Sequence, residues 1–426
     1  MRSLHPYIVK AAAVISCAAL MTTLAACGNT SGSSGSQSIR FQTWNLKNDK
    51  YTPYFENLIA AFEKENPGTH IEWIDQPADG YDDKLSTDAS AGQLPDVVNV
   101  EPSQAYVLAK AGAIMNISKE DPDAEKLYTE SSLSGVHYKG HGFEEGDYGY
   151  PWYINVSMAY IDTSLFSKCG LDPNDYPKTM TDLLNQASTL HANCPDDYML
   201  SGIPRYLSTF AMYGVDTMNA DGTEYTFNNT KGVEFLDRYI DLFREGAIPQ
   251  SALNPSSQAN INYQGHIAYM EGNAYSVDDY KTNAPDIVDK LKVIPQATNT
   301  TPTLWEHMMV VSRTTKNKEL SYKFARYVTN ADNQLEFAKQ AHVFPSAKGV
   351  IDDPSFKPTD DSLQSEAIRV AIQQINDGKV SNNPPSFAEA TGENYLADQI
   401  GKAFQGQITA KEALDSSVKY ANERLK

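Results

Sequence analysis

The sequence predicts an α/β protein with two domains. In the first third of the chain, short apolar runs of strand length alternate with amphipathic segments, an order that indicates a mainly parallel sheet with helices on both faces. After an N-terminal export segment and the linker that follows it, about 390 residues remain, more than one hydrophobic core normally organises. Tyrosine is abundant, with 25 residues among 426, which favours a recognition surface.

The first 26 residues have the order of a bacterial lipoprotein signal peptide. Arg2 and Lys10 precede an apolar run at residues 11–20, which is too short to span a membrane. A Leu-Ala-Ala-Cys sequence then ends at Cys27. This sequence resembles a lipobox, in which the cysteine becomes the lipidated first residue. The alternative is an ordinary signal peptide in which Cys27 is incidental. Residues 27–37 add a Gly- and Ser-rich flexible linker, so we expect a protein anchored to the outer face of the cytoplasmic membrane.

The charge of the chain excludes several classes of partner. Without the signal peptide it carries 33 basic and 54 acidic side chains, a net charge of −21. Such a chain repels nucleic acid and anionic lipid, so membrane attachment would rest on acyl chains alone. The sequence contains no phosphate-binding GxxxxGK motif and no GxSxG nucleophile motif, and we predict no cofactor.

Cys169 and Cys194 are the only cysteines that follow Cys27. In an exported protein such a pair most simply forms one disulfide, whose loop closure is worth about 3 kcal/mol. A metal site is the alternative, but only His191 lies near the pair in the sequence. A group of histidines and acids between residues 137 and 147 also matches no stringent metal-binding signature. We therefore predict the disulfide and no metal.

The elements of the first domain can be assigned in order. Apolar alternation predicts strands, and helices follow that end at glycine or at an Asn-Pro-Gly sequence. The strands are expected at 39–45, 70–76 and 96–100, and the helices at 53–65, 81–91 and 103–111. Ligands bind beyond the carboxyl ends of the strands in such sheets. Trp44, Asn45, Glu101 and Ser103 lie at those ends.

The stretch 150–162 is the next candidate strand. Its body is nearly free of charge and rich in β-branched and aromatic residues, which predicts a buried strand, whereas Trp152 at its head follows a proline and a Gly-rich acidic loop. Further strands are expected at 266–270, 291–296 and 308–312. Helices are expected at 179–191, 230–245, 319–329, 331–342, 362–377 and from 409 onward.

Short motifs follow one another in a fixed order over nearly the whole mature chain. They are Gly92-Gln93-Leu94-Pro95-Asp96-Val97-Val98, Gly149-Tyr150-Pro151-Trp152, Ala159-Tyr160-Ile161-Asp162, Leu165-Phe166, Gly170-Leu171, Pro177-Lys178-Thr179-Met180-Thr181-Asp182-Leu183, Gly265-His266-Ile267-Ala268-Tyr269-Met270 and Val293-Ile294-Pro295. Together they resemble the carbohydrate-binding extracytoplasmic solute-binding proteins of ATP-driven (ABC) importers, the maltose and oligosaccharide-binding family. The chain departs from the family pattern at Ile161-Asp162, where Asn-Lys is usual, and at Trp305-Glu306-His307, where a glycine pair is usual.

The resemblance implies a two-lobe, periplasmic-binding-protein-like fold that closes on a ligand in the cleft between the lobes. Lobe 1 would comprise residues 38–153 plus 298–345, and lobe 2 residues 154–297 plus 346–426. It further implies a monomer without catalytic activity that captures an oligosaccharide and delivers it to the permease subunits of an ABC importer.

The resemblance also implies a set of ligand-binding side chains. Aromatic planes cover the C–H faces of sugars, and Asn, Glu and Ser pair with the hydroxyl groups. The predicted residues are Trp44, Asn45, Glu101, Ser103, Trp152, Asn155, Tyr206, Tyr275, Trp305, Glu306 and Tyr395.

Two other functions stay open at this point. An exported glycoside hydrolase would need two carboxylates across the cleft, for which Glu101 and Glu306 are conceivable. The same scaffold could instead bind a peptide, a polyamine or a metal. The abundance of Trp and Tyr beside Asn and Glu favours a sugar over these solutes.

Overall fold

The computed structural model describes residues 37–139, 144–221, 223–254, 261–302, 304–376 and 390–425. The predicted signal peptide, Cys27 and almost all of the linker lie outside the described residues. All described residues belong to one compact unit. Within these ranges, no helix combines the length and the apolar character that crossing a bilayer requires.

The strands of the described chain form three sheets. A six-stranded sheet has the order β11-β6-β10-β3-β1-β2, a three-stranded sheet has the order β8-β7-β9, and β4 pairs with β5. The strands are β1 (Gln37–Trp44), β2 (Thr69–Gln76), β3 (Val97–Val100), β4 (His137–Tyr138), β5 (Gly146–Asp147), β6 (Tyr150–Val156), β7 (Met158–Asp162), β8 (Tyr269–Gly272), β9 (Leu291–Pro295), β10 (Leu304–Val311) and β11 (Phe344–Pro345).

Every helix expected from the sequence is present, with ends that differ by two residues at most. The α-helices of the described chain are α1 (Thr52–Glu65), α2 (Tyr81–Ser90), α3 (Pro102–Lys110), α4 (Ile117–Glu120), α5 (Glu130–Val136), α6 (Thr163–Lys168), α7 (Met180–Asn193), α8 (Leu207–Tyr213), α9 (Thr230–Arg244), α10 (Ser276–Asn283), α11 (Pro285–Val288), α12 (Lys318–Val328), α13 (Ala331–Ala341), α14 (Leu363–Asn376), α15 (Ala390–Phe404) and α16 (Ala410–Leu425). Two strands differ more: β8 begins at Tyr269, and β10 begins at Leu304, so that Trp305-Glu306-His307 belongs to a strand.

We call the part built on the six-stranded sheet lobe 1. Its first three strands are parallel, as the alternation of strands and helices predicts. β10 runs antiparallel between β3 and β6. The carboxyl ends of β1, β3 and β6 and the start of β10 therefore lie along one edge of the sheet, which we call the lobe 1 cleft edge.

We call the part built on the three-stranded sheet lobe 2. β7 pairs antiparallel with both β8 and β9, so the start of β7 and the carboxyl ends of β8 and β9 share one edge, the lobe 2 cleft edge. Tyr198 forms a parallel bridge with Ile267 just before β8, which brings the chain after Tyr198 to the same edge. Only Ser157 separates β6 from β7, so the two cleft edges meet there.

The first sheet continues three residues beyond the expected boundary, because β6 extends to Val156. The lobe boundaries themselves stay a prediction. Helix α14 packs against the junction of β6 and β7. Gln374 Nε2 donates to the Ser157 carbonyl at 3.0 Å, and the Val293 N–H of β9 donates to Glu366 Oε2 at 3.1 Å. Through these contacts α14 connects the link between the two sheets with β9 of lobe 2.

The predicted disulfide joins Cys169 and Cys194, whose Cα atoms are 5.6 Å apart. It connects the ends of α6 and α7. Asp197 lies beside the pair, but its carboxylate accepts hydrogen bonds from Lys168 and His266. Because the two sulfur atoms are bonded to each other, neither is a thiolate that could bind a metal.

Candidate ligand-binding site

Large aromatic side chains lie exposed along the two cleft edges. Among the described residues, the exposed large hydrophobic side chains are Tyr206, Tyr275 and Trp305, with 57%, 36% and 42% of their surface accessible, and Leu127. Trp305 belongs to β10, Tyr275 follows β8, and Tyr206 follows the segment that bridges to β8. Three of the four are therefore predicted site residues, and they lie where the strand ends of the two lobes meet.

Trp305 and Asn155 form one neighbouring pair at the lobe 1 cleft edge. They are opposite each other in the antiparallel ladder of β10 and β6, so their side chains lie on the same face. The Trp305 indole N–H donates to Ser157 Oγ at 3.0 Å, which fixes the ring while leaving much of its surface accessible. Asn155 Oδ1 is buried without a hydrogen-bond partner. The pair thus presents an aromatic plane beside an amide.

Three stacked rings form the base of the same edge. The His307 ring lies parallel to Tyr153 at 4.5 Å and to Trp44 at 5.6 Å between centroids. Burial lowers the pKa of His307 to about 3, so the imidazole is neutral. The predicted residue Trp44 thus lies at the cleft base. Sequence reasoning missed Tyr153 and His307, because the local pattern does not show which residue of β6 faces the cleft.

Trp152 is a correction to the predicted site. Tyr153 pairs with His307 and Pro151 pairs with Met308, so Trp152 is the extra residue of a β-bulge. The bulge turns its side chain into the core, where it is fully buried and stacks on Phe337 at 4.6 Å between centroids. No face of Trp152 is left for a ligand, and the prediction of a stacking plane there is wrong.

Glu306 is a second correction. Its residue is 2% exposed, and neither carboxyl oxygen has a hydrogen-bond partner. Ser132 approaches the carboxyl without completing a hydrogen bond, and burial raises the pKa of Glu306 well above its usual range. Glu306 is therefore a core side chain that a ligand does not reach. A hydrolase with Glu101 and Glu306 as its two carboxylates is excluded by the same burial.

Glu101 directly follows β3 at the lobe 1 cleft edge, and its part in ligand binding stays a prediction. Its side chain is about one third exposed, and its Oε1 lies 3.5 Å from Nε2 of the neutral His307. Its backbone N–H donates to Gln104 Oε1 at 2.9 Å and so opens α3. Burial by its neighbours, with a smaller contribution from Asp82, raises the pKa of Glu101 to about 7. The Glu101 carboxyl is thus partly accessible to water but closely surrounded by protein atoms, as a carboxyl in a concave surface is.

Two further carboxyls of this kind lie at the lobe 2 cleft edge. Glu271 is the last residue but one of β8, is exposed, and accepts a hydrogen bond from Gln296 Nε2 at 3.3 Å. Glu393 lies on α15 and accepts from the Leu207 N–H at 3.3 Å, one residue after Tyr206. Desolvation raises the pKa of Glu271, and it raises the pKa of Glu393 to about 8. Sequence reasoning missed both, although the strand-end rule that selected Glu101 also applies to Glu271.

The remaining predicted residues take different places. Asn45 has a left-handed backbone (φ 54°), and its Oδ1 accepts from the Ala78 N–H at 3.2 Å, which fixes the loop after β1. Ser103 lies half-buried in the first turn of α3. Tyr395 is half-buried, and one face of its ring stacks on Tyr420 of α16 at 4.0 Å between centroids. Its part in ligand binding stays a prediction.

A lysine connects the two cleft edges. Lys50, which follows β1 of lobe 1, has its Nζ atom 3.8 Å from Asp278 Oδ2 and 4.8 Å from the centroid of the Tyr275 ring, both in lobe 2. His342 Nε2, at the end of α13, lies 3.5 Å from the same Asp278. These contacts join the two lobes at the rim of the cleft.

Replacement of Lys50 by methionine will shift the lobes toward more open arrangements. The lost ion pair and cation–π contact are worth about 1 kcal/mol together, which changes the open-to-closed ratio about fivefold. Distances between spin labels, one on each lobe, measure the change. Lys47→Met is the matched control, because the Lys47 ammonium lies 4.9 Å from the Trp73 ring within lobe 1. An equal shift in both variants would contradict the assigned role of Lys50.

The two lobes and the cleft between them assign the protein to a structural class, the two-lobed α/β binding proteins whose ligand site lies between the lobes. Residues 48–335 match the family described as bacterial extracellular solute-binding protein, and the chain belongs to this family. The fold is similar to that of a crystal structure from Synechococcus whose protein is assigned as an oligosaccharide periplasmic-binding protein, with a TM-score of 0.80 and 22% identity over 91% of this chain and 98% of that one. The predicted two-lobe fold is thereby confirmed.

Relatives with known names are also similar over nearly their full length. The galactooligosaccharide-binding protein of Bacillus subtilis is 21% identical over 95% of this chain and 98% of its own. The maltodextrin-binding protein MdxE of Bacillus subtilis and the maltooligosaccharide ABC transporter solute-binding lipoprotein of Streptococcus pneumoniae are each 22% identical over 98% of both chains. All are binding proteins, which confirms the prediction that the chain is not an enzyme.

Proposed function

We propose that this chain is a lipid-anchored protein that captures an oligosaccharide between its lobes and delivers it to the permease of an ABC importer. The observation that carries the proposal is the combination of exposed aromatic rings with carboxyl and amide groups along both cleft edges. Trp305 stands beside Asn155 on one edge, and Tyr206 stands beside Glu393 on the other. Sugars require this combination, because their rings have apolar faces and their edges carry hydroxyl groups.

The anchor rests on the N-terminal sequence. Cys27 follows a signal-like segment and precedes a flexible linker, and one of the similar proteins is itself named a lipoprotein. A lipid on Cys27 would keep the acidic globular part near the membrane surface without electrostatic attraction to it. Delivery to a permease would follow hinge closure around the sugar, since a closed binding protein presents a surface that the open one lacks.

A thermal-shift screen of the mature protein tests the proposal. Panels of oligosaccharides, peptides and divalent cations are added, each at a concentration far above the expected dissociation constant. A ligand at a hundred times its dissociation constant stabilises the folded state by about 2.7 kcal/mol, which raises the melting temperature measurably. We expect stabilisation by one class of oligosaccharide. Stabilisation by peptides or cations alone would refute the sugar proposal.

A further inference from the structure

Glu271 and Gln296 present hydrogen-bond acceptors without enough donors opposite them. The amide Nε2 of Gln296 donates one of its two N–H groups to Glu271 Oε1 at 3.3 Å, so the amide faces the carboxylate with its nitrogen. Gln296 is only 6% exposed, and its Oε1 is buried with no hydrogen-bond partner. The unpaired Gln296 oxygen and the Glu271 carboxylate are therefore acceptors at the ends of β8 and β9 that a group with several hydrogen-bond donors would complement.

The cleft carboxyls also lack cations. In the described parts of the chain, no lysine or arginine forms an ion pair with Glu101, Glu271 or Glu393, and His307 beside Glu101 is neutral. Desolvation therefore raises the pKa of each carboxyl without a compensating positive charge. A cation placed among them would favour the ionised form and gain an interaction stronger than a neutral hydroxyl makes.

The rim of the same cleft already holds an ammonium group. Lys50 Nζ lies over the ring of Tyr275 and within 5.3 Å of the Tyr51 ring centroid, beside the Asp278 carboxylate. Aromatic faces combined with a carboxylate are the usual surroundings of an organic cation. The side chain of Lys50 thus shows, independently of Glu271, that the aromatic lining of this cleft suits a protonated amine.

We propose that the ligand is an oligosaccharide that carries a protonated amine, and that Glu271 with Gln296 receives this amine at the lobe 2 cleft edge. The inference rests on the proposed function and narrows its ligand class. An ammonium group supplies three N–H donors and one positive charge, which matches the unpaired Gln296 oxygen and the uncompensated Glu271 carboxylate. A neutral sugar hydroxyl supplies one donor and no charge.

Calorimetric titration with matched sugars tests the inference. Deacetylated chitooligosaccharide carries free amines, its N-acetylated form has the same backbone without the charge, and maltooligosaccharides and galactooligosaccharides provide neutral sugars of other linkages. We expect the amine-bearing sugar to bind about tenfold or more tightly than its N-acetylated form at low ionic strength. In Glu271→Gln this ratio will fall to about one, because the variant keeps the shape and loses the charge.

Glu245→Gln is the matched control, since Glu245 is an exposed glutamate at the end of α9, outside the cleft edges. It will keep the preference of the unmodified protein for the amine. Equal or tighter binding of the neutral sugars, or a preference that survives in Glu271→Gln, would overturn the amine inference while leaving the sugar proposal intact. If no sugar of the panel binds, both proposals fall together.

Discussion

Replacement of Trp152 by alanine will lower the free energy of unfolding by about 3 to 5 kcal/mol. Trp152 is fully buried, stacks on Phe337 and meets the ring of Phe55 edge-on at 6.0 Å between centroids. Both rings belong to packed helices, so we expect them to fill only part of the space that the indole leaves. Urea denaturation followed by circular dichroism measures the loss, since this signal does not depend on the removed tryptophan.

Trp152→Phe is the control for this prediction. Phenylalanine fills much of the same volume, and it also removes the indole Nε1, which is buried without a hydrogen-bond partner. We therefore expect the phenylalanine variant to lose less than half as much stability as the alanine variant. If Trp152→Ala unfolds with the same free energy as the unmodified protein but binds the ligand more weakly, Trp152 contacts the ligand and is not a core residue.

Replacement of Trp305 by alanine will lower ligand affinity strongly and stability only slightly. Its ring is exposed beside Asn155 and held only by one hydrogen bond to Ser157, so the free energy of unfolding will change by about 1 kcal/mol or less. Affinity for the stabilising oligosaccharide will fall about 30-fold or more, because an aromatic platform that a sugar covers is worth about 2 kcal/mol or more. Calorimetry with the sugar found in the thermal-shift screen measures the change.

Leu127→Ala is the matched control for Trp305→Ala. Leu127 is 43% exposed, almost the same fraction as Trp305, but it lies in the segment between α4 and α5, away from both cleft edges. Its removal will leave sugar affinity unchanged. A Trp305→Ala variant that binds sugar as well as Leu127→Ala does would show that Trp305 is an ordinary exposed side chain. Ser157→Ala should fall between the two, because it frees the indole without removing it.

The elements that sequence reasoning predicted well are determined locally. The α7 helix begins where Thr179 and Asp182 form a reciprocal capping box, with the Asp182 N–H donating to Thr179 Oγ1 at 3.0 Å. The α9 helix begins where the Asn229 side chain accepts from the Gly232 N–H. Both caps involve residues three apart, so the sequence contains everything needed to place them.

The site was predicted less completely because its geometry depends on distant contacts. The bulge that buries Trp152 and presents Tyr153 exists only because β10 pairs with β6 in one register. Glu393 reaches the cleft because α15 approaches Leu207, which is far away in the sequence. Tyr395 is covered by a ring from α16. None of these arrangements is visible in the nearby sequence, whereas strand ends are. The position of Trp305 and Glu101 at the cleft edge could therefore be predicted, and their part in ligand binding stays a prediction.

The position of β10 in its sheet has a consequence for how the chain is made. β10 lies between β3 and β6, yet the ribosome adds Leu304–Val311 only after the whole of residues 157–303. Until then β3 and β6 have no common neighbour, and the largest sheet of the protein stays incomplete. Pairing over such sequence distances is slow. Late closure suits a nascent chain that must remain unfolded until it has crossed a membrane, as the proposed signal peptide requires.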